Sequence, residues 1–181
     1  YMSNDDRLVR QALEHFDLSR IPEGITASRY PSDLGQYIPT FSPIWVAMVH
    51  DYWMHRDAPE YVRDFLPGIR SVLAWFERRV DATGLVGPIP WWPFVDWARE
   101  WARGVPPGGV EGHSTVISLQ FVYALERAAE LDPECLQRKA AGERVVSDAR
   151  RHEDYQRHRR RHYQPGHDAG DEQRAQRHVR L

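Results

Sequence analysis

The sequence predicts an all-α fold, and three observations carry that prediction. Apolar residues recur at helical spacing in segment after segment. Those segments alternate between a single apolar stripe and an apolar surface that runs nearly all round. The long irregular stretches fall just ahead of the all-round apolar segments. A helix apolar on most of its circumference is covered on every side, whereas a single stripe leaves the opposite face to water. Alternation of the two kinds fits an α/α toroid, with an inner ring of helices covered by an outer ring. An ordinary helical bundle satisfies the same pattern, because periodicity does not fix topology.

The elements follow in order. Residues 5–17 place Leu8, Val9, Ala12, Leu13 and Phe16 on one stripe, predicting a surface helix. Residues 19–39 form a long loop punctuated by Pro22, Gly24, Pro31, Gly35 and Pro39. Its Ile21, Ile25, Tyr30, Tyr37 and Ile38 predict that it is ordered. Ser42 and Pro43 read as an N-cap and a first-turn proline. The following "IWVAMVHDYWM" is apolar almost all round, which predicts a buried helix. Asp57, Pro59 and Glu60 mark the next start. From there Val62, Phe65, Leu66, Ile69, Val72, Leu73, Phe76 and Val80 keep one stripe until Thr83-Gly84, predicting one surface helix. A second long loop leads to Ser114, which opens another mostly apolar helix reaching Leu131. Pro133 begins a weaker one.

Composition bounds the function classes. A chain of 181 residues suffices for one sizeable core, and a formal net charge of −2 argues against a nucleic-acid partner for the whole chain. A single cysteine, Cys135, excludes an internal disulfide and a cysteine-based zinc cluster. No apolar run approaches the roughly 20 residues of a membrane helix, so no membrane partner is expected. The start reads as the inside of a longer protein rather than as a signal peptide, and the compartment stays open. Residues 150–181 hold nine basic and five acidic residues, a net of +4 that leaves −6 for the rest, and all seven tryptophans precede residue 102. The domain reading is therefore 1–131 as one helical domain, 132–149 as an uncertain outer helix, and 150–181 as a basic tail. Having few apolar residues, the tail reads as disordered or out of frame rather than as a nucleic-acid arm or histidine-rich metal tract.

One stretch points to chemistry. "PIPWWPFVDW" (88–97) crowds three tryptophans and three prolines around Asp96. Pro88, Pro90 and Pro93 are expected to hold it extended, so that Trp91, Trp92 and Trp97 point in different directions. A sugar stacks its C–H face on indole and gives its hydroxyl protons to a carboxylate, and Asp96 among tryptophans supplies both. A loop plug, with Asp96 capping a helix around "WAREWA", explains the same residues. Arg29, Tyr30 and Asp33 in "SRYPSD" are a second candidate set, against a plain surface turn. Glu111 and His113 in "EGHS" are a third, against an acid favoured by a helix dipole. His50, Asp51, His55 and Asp57 lack a convergent spacing, so no metal site is expected.

Three stretches resemble a known family. "GITASRYPSDLGQYIPTFSPIWVAMVHDYW", "LPGIRSVLAWFERRVDATGLVGPIPWWPFVDWA" and "EGHSTVISLQFVYALERAAEL" are similar, in order and spacing, to the six-hairpin catalytic domain of bacterial α-L-rhamnosidases, glycoside hydrolase family 78. The resemblance covers about residues 1–131. It implies part of an (α/α)6 toroid and an inverting hydrolysis of terminal α-L-rhamnose, without a cofactor, acting on a rhamnose-containing oligosaccharide or glycoside. Inversion sets a general acid and a general base roughly 6.5 to 9.5 Å apart. The family's acid stands in a Cys-Pro-x-x-Glu segment and its base in a later inner-helix loop. Neither motif is in this sequence, so no catalytic residue is expected within it. What the resemblance carries over is a rhamnose-binding wall of Trp92, Asp96 and Trp97, with Arg29, Tyr30 and Asp33 beside it. Glu111 and His113 match the family's Glu-Gly-His stretch. After Leu131 the sequence departs from the pattern. A non-catalytic helical carbohydrate-binding protein and a nonfunctional truncated product are the alternatives.

Overall fold

The computed structural model describes residues 5–131. The expected outer helix from Pro133 and the tail at 150–181 lie outside the described residues. The described residues hold five α-helices: α1 (Arg7–Leu18), α2 (Phe41–His55), α3 (Pro59–Arg63), α4 (Leu66–Glu77) and α5 (Thr115–Glu130), with a 3-10 turn at Ala102–Gly104. Among the described residues the only strand-like feature is an isolated antiparallel bridge between Val80 and Val86. The all-α prediction stands. None of these helices is long and apolar enough to cross a membrane.

α2 is the hub. It packs against α1, α3 and α4, and most extensively against α5, which also meets α4. Its Trp45, Val46, Val49 and Trp53 are fully buried, but Ile44 is 47% exposed and Met54 39%, so α2 is not covered on every side as its all-round apolar pattern predicts. Trp45 also donates its indole N–H to the Leu13 carbonyl of α1 at 3.2 Å, so this large ring is satisfied as well as buried. On the far side Phe76 of α4 stacks on Phe121 of α5, with centroids 5.6 Å apart.

Four local expectations are corrected. α2 starts at Phe41 rather than after Ser42. The Ser42 hydroxyl caps nothing; it bonds the Thr26 amide and hydroxyl, each at 3.0 Å, and fastens the long loop to the helix. The surface helix expected from Pro59 onward is two helices. Pro67 has no N–H for the Arg63 carbonyl and its ring crowds that carbonyl, so α3 stops there. Pro67 then occupies the first turn of α4, where its missing donor costs nothing. α4 in turn ends at Glu77, and Thr83-Gly84 belongs to a tight turn closed by Gly84 N–H to the Asp81 carbonyl (3.0 Å).

The fourth correction concerns α1. Of its expected stripe only Leu13 is buried, and Leu8 is 81% exposed. The helix instead turns Asp6, Arg10 and Leu13 inward. Arg10 lies 4.5 Å over the Tyr61 ring and bonds Asp6, which also accepts from the Tyr52 hydroxyl. This charged and aromatic network takes the place of the apolar contact.

The long loop before α2 is ordered, with Ile25 and Ile38 buried. Ser28 N–H to the Gln36 carbonyl (2.9 Å) closes its outer part.

Candidate functional site

The loop ahead of α2 and the loop ahead of α5 meet. The Tyr37 and Trp91 rings lie 5.6 Å apart, Phe41 and Phe94 lie 6.1 Å apart, and the Thr40 hydroxyl donates to the Phe94 carbonyl. Residues 88–98 have no regular secondary structure, but they are not simply extended. Trp91 stands in the left-handed region at φ 61°, which reverses the direction of its ring. Trp91 therefore folds toward the core, against Trp75 of α4.

Its neighbours turn the other way. Trp92, Phe94 and Trp97 form a cluster, with Phe94 5.0 Å from each indole and the two indoles 6.2 Å apart. The cluster is held from behind. The Trp92 indole N–H donates to the Arg103 carbonyl at 3.1 Å, and the Val95 and Asp96 amides both reach the Gly104 carbonyl, at 2.9 and 3.4 Å. Gly104 has φ 72°, and a Cβ there would lie 2.3 Å from the Phe94 ring. Only glycine fits, for both reasons.

Asp96 caps no helix, because residues 97–101 form none. One of its carboxylate oxygens accepts from the Trp97 amide at 2.7 Å. The group stays exposed beside Trp97, whose indole is 71% exposed.

Trp92 also lines a cavity of about 400 Å³. Its lining includes Trp91, Trp92 and Trp101, with Glu100, Arg103 and Glu111 and the prolines Pro93, Pro106 and Pro107. Of the residues singled out in the sequence, Trp92 and Glu111 line it; Asp96, Trp97, Arg29, Tyr30, Asp33 and His113 do not. Tyr30 packs edge-on against His15 of α1, 5.9 Å between centroids. His113, at φ 63°, pairs with Asp81 at 2.9 Å in the turn after α4. Hydrogen bonds from the Thr83 hydroxyl and amide hold the Asp81 carboxyl below the usual carboxylate value, and His113 adds to the effect.

Sequence reasoning missed Trp91 as a core-facing ring, and Glu100, Trp101 and Arg103 as lining residues. The signal for the last three was "RGVPPGG" at 103–109, whose prolines and glycines deny "WAREWA" a helix.

A second cavity, of about 340 Å³, lies between the start of α1 and the end of α2 and includes Asp5, Asp6, Asp51 and His55. Among the described residues no group of three or more His, Cys, Asp or Glu side chains is arranged to hold a metal ion. His50, in particular, is drawn away to Glu130 of α5 at 2.8 Å.

Compared with known proteins, the chain matches no family model, no curated protein and no solved structure.

Proposed function

We propose that the face made by Trp92, Asp96 and Trp97 binds a terminal α-L-rhamnose ring, as one wall of the sugar site in a toroidal glycosidase domain. One observation carries the reading. This protein fully buries Trp45, Trp53 and Trp75, yet it holds the Trp97 indole in water, braced by Phe94 and Trp92 and adjacent to a carboxylate. A deoxy sugar presents a C–H face and a methyl group to such an indole, and its hydroxyls donate to the carboxylate. In this reading α2 and α5 are neighbouring inner helices and α1 and α4 belong to the outer layer. The extensive α2–α5 packing and the meeting of the two long loops support it. The role assigned to these residues is binding, since the resemblance places neither proton-transfer glutamate in this sequence.

The test is tryptophan fluorescence titrated with L-rhamnose. A saturable change is expected. Asp96→Asn should weaken binding about tenfold, the scale of one lost charge-assisted hydrogen bond. Trp97→Ala should abolish the response. A folded protein with no saturable response, or one whose response both variants leave unchanged, would sink the proposal.

A further inference from the structure

Trp92 belongs to two surroundings. It meets Phe94 and Trp97, and it lines the 400 Å³ cavity, whose lining includes neither of them. From this division we infer that the cavity is a second ring site, for the sugar unit next to the one held at Trp97. The inference rests on the carbohydrate reading above and extends it to a ligand of at least two units.

Three features of the cavity carry it. Its walls are indoles: Trp91, Trp92 and Trp101 all line it. Its charges are of both signs: Glu100, Arg103 and Glu111 line it. Two acceptors and one forked donor around aromatic walls match a ring with C–H faces and neighbouring hydroxyls. An anion would meet two carboxylates, and a simple cation would meet the guanidinium. Finally, the wall is held under strain. Among the described residues Trp91 and Arg103 are two of the three non-glycine residues at positive φ, and Arg103 at φ 56° gives its carbonyl to the Trp92 indole. One strained residue thus orients the shared indole and supplies the donor.

The experiment uses the full chain, L-rhamnose, and a panel of rhamnosyl disaccharides covering each linkage. Binding is read by tryptophan fluorescence and calorimetry in the wild type, Arg103→Ala and Trp101→Ala. Both side chains line an open cavity, and thermal unfolding checks that each variant folds. At least one disaccharide is expected to bind about tenfold tighter than the monosaccharide. That gain should vanish in both variants, with monosaccharide affinity staying within about twofold in Trp101→Ala. If the monosaccharide binds and no disaccharide gains, the second site is refuted and the proposed function stands. A gain that survives both substitutions also refutes it. If no sugar binds, both readings fall together.

Discussion

The Trp91 indole lies against that of Trp75, with centroids 6.4 Å apart and planes inclined by 21°. Trp75 is a fully buried residue of α4, and Trp91 is a half-exposed residue of the aromatic loop. Trp91 also meets Tyr37, from the loop ahead of α2. The position of the site wall is therefore set by the core. Trp75 is itself fixed by Phe76 at 4.8 Å and by the Arg79 guanidinium 3.5 Å over its ring.

Trp75→Ala tests that dependence. Deleting a buried indole removes its burial and leaves a cavity, which costs about 3 to 5 kcal/mol. Chemical denaturation should show this loss. Trp91 also loses its support, so its emission in the folded variant should shift toward that of a solvated indole. A destabilised protein with unchanged Trp91 emission would mean that the loop holds itself in place. Trp91→Phe in the Trp75→Ala background identifies the emission concerned.

Gly104→Ala should damage the site without touching the helical core. The new methyl group would press into the Phe94 ring, and the backbone at φ 72° would strain any side chain. The cost should exceed about 1 kcal/mol, the scale for alanine placed where φ is positive. Because Phe94 braces both Trp92 and Trp97, their fluorescence should change with it. A variant with wild-type stability and spectrum would show that the loop repacks freely.

How far the sequence announced this structure depends on the range over which each feature is set. The existence of α2 and α5 was legible because helical apolar spacing is a local property, but their covering was not: Ile44 is 47% exposed and Leu119 63%. The break at Pro67 was also written locally, but the apolar stripe runs unbroken across it from Val62 to Phe76 and hid it. The inward face of α1 was not legible, because Tyr52 and Tyr61, more than forty residues on, choose Arg10 over Leu8. At the site, the proline-tryptophan stretch announced irregular chain. The ring directions did not follow from it. They depend on a left-handed backbone at Trp91 and on the Gly104 carbonyl, which arrives from a different turn.

The α2–α5 contact contains one polar tie that can be tested alone. His50, 3% exposed, meets Glu130 at 2.8 Å, and Arg127 reaches the other oxygen of Glu130 at 3.2 Å. Glu130→Ala leaves a buried imidazole without this partner. It should cost about 2 kcal/mol, within the range for an unsatisfied buried polar group. The urea midpoint should fall accordingly with an unchanged slope. A loss below about 0.5 kcal/mol, the noise level of surface substitutions, would show that the tie contributes nothing.

Acid should loosen the protein through Asp6. Its carboxyl is held below the usual carboxylate value, first by the Tyr52 hydroxyl at 2.8 Å, then by Arg10 at 3.0 Å, with Arg56 adding a weaker attraction. The folded state thus favours the ionised form more than the unfolded chain does. The stability this contributes is present above the ordinary carboxylate value of 3.8, and it is lost as pH falls through the lowered folded value. Tyr52→Phe removes the largest cause and brings the folded value back toward the unfolded one. Unfolding free energy measured from neutral pH downward should therefore fall less steeply in Tyr52→Phe than in the wild type. Parallel acid limbs in the two proteins would mean that other carboxylates, Asp81 among them, govern acid stability.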